Sequence, residues 1–232
     1  MTLATPFKVI ANDNDIATTR ESKIRFAKIQ DLKTGETIGI DAQIESSFEE
    51  TALFGFASGN PHQHCSARWL GEQIERAGRL ATEQNIPERP ISIIAPLAAL
   101  SHPDAPMAAE AGARRANICV QEIRIEFPDA SIYEAEDIAP AYIESFFSRG
   151  FRVGIDARQS WRSPFGAYLS SVIEAVRLNA VALDDDAPFT ADRIENAYGS
   201  GAMLFAENAN WTDAERLSNM GVRYAVNPKL NG

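Results

Sequence analysis

The sequence predicts an α/β fold in which a mostly parallel sheet is wrapped by helices, close to a (β/α) barrel. Three observations carry this. From ISIIA (91–95) onward, six short apolar segments alternate with helical ones, the pattern of parallel strands joined by crossover helices. Before them, KIRFAKI and IGIDAQI flank the turn DLKTGET, a hairpin that brings the strand count near that of a barrel. The chain has 232 residues, 45% apolar and 23% charged, enough for one domain with a sizeable core.

The elements follow in order. After the hairpin, a helix is expected over about 66–84, because Leu70, Ile74, Ala77 and Leu80 make one face. ISIIA is an apolar strand. A helix over about 107–116 leads to a strand over 118–123. Asp137 is read as the cap of a helix with Ile138, Tyr142, Ile143 and Phe146 inward, stopped by Gly150. A strand over 152–155 is followed by a helix over about 164–177 and a strand AVAL (180–183). Thr190 caps a helix to about Tyr198, and AMLFA is the next strand. Thr212 and Glu215 read as a capping box for a helix ending at Gly221, and VRYAV closes the series.

Composition bounds the function classes. The net charge is -10 and the isoelectric point about 4.9, which argues against a nucleic-acid binder needing clustered Lys and Arg. Cys65 and Cys119 stand far apart, in no CxxC pair, so neither a disulfide framework nor a zinc site is expected and a reducing cytoplasm is the default. The first residues lack the basic and apolar regions of a signal peptide, and no run approaches about 18 apolar residues, so no membrane span is expected. Residues 1–20, rich in Asn, Asp and Thr, read as a loose arm. Residues 21–232 read as a single domain.

Several stretches carry candidate chemistry. GIDARQSW (154–161) puts Asp156 at the C-terminal end of a strand, where a barrel enzyme places catalytic groups. HQHC (62–65) offers His62, His64 and Cys65, but without a fourth ligand it reads as structural or surface. The run DDD (184–186) reads as a solvated loop. Trp161 and Trp211 fall at loop or cap positions, as lids on the core or anchors for a partner.

Five stretches in order resemble one family. FAKIQDLKTGETIGIDAQIE is similar to YQPIVDLxTGxxxGxEALLR, the start of an EAL domain, the bacterial cyclic di-GMP phosphodiesterase fold. QEIRIE (121–126) is similar to the family's LEITE strand. FFSRGFRVGIDARQ is similar to the stretch ending in DDFG, NAVALD (179–184) to DxLKID, and FAENANWTDAERLSNMGVRYAVNP to AEGVET…LxxLGxxxxQGY. The matches run from about residue 24 to 230. The resemblance implies an EAL-type modified TIM barrel with an antiparallel first strand.

It also implies a site, since the family hydrolyses a phosphodiester with two metal ions held by oxygen ligands. Asp41 stands for the motif Glu, Glu122 for the first Glu of LEITE, Asp156 for the first Asp of DDFG and Glu207 for the first Glu of AEGVE. Against these stand losses. Ile94 replaces a metal-ligand Asn, Ala157 the second Asp of DDFG, Ala182 the lysine of LKID and Val226 the Gln of QGY. Ile125 aligns with the Glu that anchors the loop after DDFG. Glu45 stands where the family has a phosphate-binding Arg, Gln43 for the Leu of EAL, and Ala27 and Lys28 for the preceding Gln and Pro.

The resemblance with these losses implies a non-catalytic regulatory protein that binds another protein in bacterial signalling, with motility or biofilm control implied by family alone. No catalytic residue and no resident cofactor are expected, although a weakly held Mg²⁺ among the four carboxylates stays open. The alternatives are a cyclic di-GMP receptor and a residual metal-dependent phosphodiesterase.

Overall fold

The computed structural model describes residues 23–45, 63–95, 102–134, 136–161, 166–183 and 188–229. Strands β1 (Lys23–Asp31) and β2 (Thr37–Glu45) form an antiparallel hairpin. Its turn is held by Asp31, whose Oδ1 accepts from the backbone N–H of Lys33 at 2.8 Å and of Thr34 at 3.2 Å. Gly35 takes a φ of +74° there, where a side chain would be strained.

From β2 the sheet runs parallel through β3 (Ile91–Ile94), β4 (Ile123–Pro128), β5 (Arg152–Asp156), β6 (Ile173–Asn179), β7 (Met203–Glu207) and β8 (Tyr224–Val226). β8 then pairs antiparallel with β1 and closes the barrel. The predicted barrel with its antiparallel first strand is the observed one. Helices α1 (Gln63–Glu83), α2 (Ala105–Arg115), α3 (Asp129–Glu134), α4 (Ala139–Ser148), α5 (Ala167–Val172), α6 (Pro188–Gly199) and α7 (Ala214–Asn219) lie between strands. Among the described residues no helix is long and apolar enough to cross a membrane.

Period-two alternation makes two cores. Ile91, Ile93, Ile123, Ile125, Phe127, Val153, Ile155, Val176 and Leu178 are buried against the helices. Their sequence neighbours point into the barrel, where Ala27, Ile29, Ala175, Phe205 and Val226 form a second, smaller cluster. Phe146 of α4 sits edge-on between Phe127 and Phe151, with centroids at 5.4 and 5.7 Å, and burying each such ring stabilises by roughly 1.5–3 kcal/mol. α1 and α2 cross at Gly71 and Gly112. A Cβ on Gly112 would stand 2.1 Å from the Gly71 carbonyl oxygen, so only glycine permits this approach.

Three elements differ from expectation. The fourth strand is 123–128, and 120–122 is a 3₁₀ turn. The segment 164–177 is not one helix, because α5 ends at Val172 and β6 begins at Ile173. The stretch 180–182 is a 3₁₀ turn, not a strand. Capping also differs. Ile138, half exposed, precedes α4 in place of Asp137, Thr190 lies inside α6, and the box is formed by Asn210 and Asp213.

Candidate functional site

The barrel interior carries charge where period-two alternation turns polar residues inward. β2 contributes Asp41, β4 contributes Arg124 and Glu126, β6 Arg177, and β7 Phe205 and Glu207, while Asp156 ends β5. Arg124, Glu126 and Arg177 are at most 1% exposed and Asp41 is 2% exposed. Gly154 makes the room, since a Cβ there would meet Glu126 Cγ at 3.0 Å and Arg124 Cδ at 3.3 Å.

Arg177 is the hub. Its Nε donates to Glu126 Oε2 at 2.6 Å and its Nη2 to Glu126 Oε1 at 3.1 Å, a two-bond fork. Nη2 also donates to Asp41 Oδ1, and Nη1 to Glu207 Oε1 at 2.6 Å. A second guanidinium lies nearer solvent. Arg158, in the turn after β5, forks onto Asp156 with Nε and Nη2 both at 2.8 Å. Its Nη1 donates to Glu207 Oε2 at 2.6 Å. Glu207 thus bridges the two arginines, one oxygen to each.

Burial alone would lower both arginines. Asp41 and Glu126 outweigh it and raise Arg177 well above its ordinary value, and Asp156 and Glu207 do the same for Arg158. Both therefore stay cationic. Burial pushes the Glu126 carboxyl up, against the pull of Arg177.

Beneath the hub, the Phe205 ring lies between the guanidiniums of Arg177 at 4.9 Å and Arg124 at 5.7 Å. Arg124 donates to Ser92 Oγ at 3.2 Å and to Glu174 Oε1 at 2.8 Å. Arg152 reaches the same Glu174 oxygen at 3.0 Å. Burial pushes the Glu174 carboxyl up, but Arg124 and Arg152 more than reverse this and hold it below its ordinary 4.5. A lowered carboxylate contributes stability that is present above its unfolded pKa and is lost as pH falls through the folded value. Glu174→Gln is therefore expected to cost about 1–3 kcal/mol near pH 7, shrinking in acid below that range, as read by urea unfolding across pH.

Three expected positions gather here: Asp41, Asp156 and Glu207. Glu122 does not. It lies in the 3₁₀ turn before β4, at the opposite end of the barrel wall, pairing with Arg89 Nε at 3.4 Å. Glu126, four residues on, takes the inward place, because the strand starts later than expected. The same slip affects two further positions. Ile125 is buried in the outer core, and the polar group that holds the loop after β5 is Asp129, whose Oδ2 accepts from Ser160 Oγ at 2.8 Å. Ala182 lies in the 3₁₀ turn after β6, outside the cluster, and the residue that β6 turns inward there is Arg177.

Of the remaining positions, Ile94 ends β3 opposite Glu126, partly buried. Ala157 and Val226 are buried and apolar. The backbone of Glu45 ends β2 opposite Lys23, while its side chain lies outside the described residues. So do His62, the run 184–186 and the side chains of His64 and Cys65. Trp161 and Trp211 are half-buried and pack against the outer core. Asn208, after Glu207, takes a φ of +56° where the family motif has glycine. Among the described residues, no three His, Cys, Asp or Glu side chains are grouped so as to hold a metal ion.

Comparison with known proteins gives the fold a family likeness. No family profile and no curated protein matches the chain. Solved structures do. The phosphodiesterase PaMucR, in complex with c-di-GMP, is 16% identical, with a TM-score of 0.71 over 89% of each chain. BlrP1 of Klebsiella pneumoniae, in a calcium/cy-diGMP complex, is 18% identical with a TM-score of 0.68 over 88% of this chain. This chain spans about half of BlrP1, 54%. The EAL domain of Mycobacterium smegmatis DcpA is 14% identical, with a TM-score of 0.66 over 88% of this chain and 90% of that one. The chain has the EAL-domain fold.

Proposed function

We propose that this chain is a non-catalytic EAL-fold protein that acts in bacterial signalling by binding another protein in the cytoplasm, with motility or biofilm control as the setting the family resemblance implies. The observation that carries the reading is Arg177, wholly buried between Asp41, Glu126 and Glu207. A guanidinium stays charged at any physiological pH. It cannot accept a proton from water, and here its donors are committed to carboxylates.

The surroundings support the same reading. Metal-assisted phosphodiester hydrolysis needs free oxygen ligands and a group to manage the water. Ile94, Ala157 and Val226 supply neither. A protein partner suits a chain with exposed apolar side chains such as Met107, Tyr133, Ile138 and Val181, and with the half-buried Trp161 and Trp211 on the outside of the barrel. The solved neighbours include a phosphodiesterase with c-di-GMP bound, so the competing reading is residual hydrolysis.

The test is direct. Purified protein incubated with cyclic di-GMP and either Mg²⁺ or Mn²⁺ is expected to release no linear dinucleotide above the buffer control, read by chromatography. Repeated turnover by the unmodified protein returns the chain to the enzymes. A pull-down from the native cell then identifies the partner.

A further inference from the structure

Deepening that reading, and resting on it, we propose that Arg177 and Arg158 are built-in replacements for divalent cations: they take the carboxylate oxygens that a metal pair needs, and the mouth is complete without metal. The fold's solved neighbours include calcium and manganese complexes, so the fold implies a metal site, and the residues of this chain do not fit one. Seven of the eight oxygens of Asp41, Glu126, Asp156 and Glu207 accept from one of the two guanidiniums. Mg²⁺ demands near-octahedral oxygen ligation at about 2.0–2.1 Å, and a metal pair sits about 3.5–4 Å apart. The guanidiniums occupy that space with the same sign of charge, so a cation entering meets repulsion and finds its ligands engaged.

The two replacements differ in permanence. Arg177 rises from a strand, with Phe205 beneath it and its side chain 0% exposed. Arg158 sits in a turn, with its side chain 30% exposed. Arg158 is therefore the one whose removal frees carboxylate without dismantling the barrel: both oxygens of Asp156 and one of Glu207 lose the one guanidinium partner they have among the described residues.

The experiment compares the unmodified protein, Arg158→Ala and Arg158→Lys, each titrated with Mn²⁺ by calorimetry and melted with Mn²⁺ or with chelator. The unmodified protein is expected to show no saturable Mn²⁺ heat and the same Tm in both conditions. Arg158→Ala should melt lower in chelator, then bind Mn²⁺ at least about tenfold more tightly than the unmodified protein. With metal about 100-fold above its Kd, its Tm should rise by about 5–10 °C. Arg158→Lys keeps a cation in place and should stay indifferent to Mn²⁺. Saturable Mn²⁺ binding by the unmodified protein overturns the replacement, as does an Arg158→Ala protein that folds and ignores Mn²⁺. If Arg158→Ala does not fold, Arg158→Gln takes its place with the same expected outcomes. Neither overturning result touches the non-catalytic reading, which falls only to turnover of cyclic di-GMP.

Discussion

Arg177→Met should cost about 3–5 kcal/mol of folding stability, the range for removing one partner of a buried ion pair. The methionine fills similar space, so the loss is electrostatic more than a matter of packing. Asp41, Glu126 and Glu207 would lose their shared cation while staying in the barrel, two of them almost fully buried. Uncompensated carboxylates in one site raise one another's pKa. Acid should therefore relieve the variant, and its deficit against the unmodified protein should shrink as pH falls from about 7 toward about 5. Arg177→Lys should recover only part of the loss. An ammonium on a flexible stem cannot reproduce the fork on Glu126 while also reaching Asp41 and Glu207. Urea unfolding of the three proteins across pH reads each of these outcomes, and a deficit below about 1 kcal/mol for Arg177→Met would remove the hub role.

Cyclic di-GMP is expected to bind with a Kd in the millimolar range or weaker, at least about a thousandfold above a micromolar ligand, or about 4 kcal/mol. Two features of the mouth work against its phosphates. The guanidiniums there are already forked onto carboxylates, so their donors are not offered to a ligand. The carboxylates outnumber them, leaving an excess of negative charge where phosphate would sit. In addition, Glu45 ends β2 where the family resemblance has an arginine. One unit charge at about 4 Å is worth on the order of 4 kcal/mol at an effective dielectric near 20, so exchanging attraction for repulsion changes the balance by about twice that. Calorimetry with a Kd at or below the micromolar range contradicts this.

The sequence shows an element plainly where its period-two alternation is undisturbed and hides it where polar residues turn inward. The hairpin was plain because Asp31 and Gly35 mark its turn between two alternating runs. β3, β5 and β7 were plain because their short runs are mostly apolar and bounded by turns or helices. β6 was hidden because Leu169, Val172, Ile173 and Val176 fall at helical spacing even though the helix ends at Val172. Glu174 and Arg177 thus fell within the helix expected over about 164–177, when both lie on β6 and Arg177 is wholly buried. β4 was displaced for the same reason, since Arg124 and Glu126 look like loop chemistry until their partners on β6 are in view.

The site was half legible. Asp41, Asp156 and Glu207 followed from the order of the motifs, and all three take part in the cluster. The two cations that give it its character did not follow. Arg158 lies two residues after Asp156 in GIDARQSW, and an arginine so near a carboxylate is ordinary on a surface. A signal did exist for Arg177. VRLN alternates as a strand should, with Arg177 at the inward position. Glu122 follows from the order of the motifs alone, whereas the pairing of Ile94 with Glu126 and of Glu126 with Gly154 puts Glu126 at the site.

Guanidiniums, in this proposal, stand where metal cations would stand. Crystals of the unmodified protein grown with Mn²⁺ and cyclic di-GMP, with diffraction recorded at the manganese absorption edge, test it most directly. The expected map has Arg177 and Arg158 in density between the four carboxylates and no anomalous peak within about 3 Å of any of their oxygens, a limit generous for hard-cation ligation. An anomalous peak bound by Asp156, Glu207 or Asp41, with Arg158 turned away from them, would contradict it.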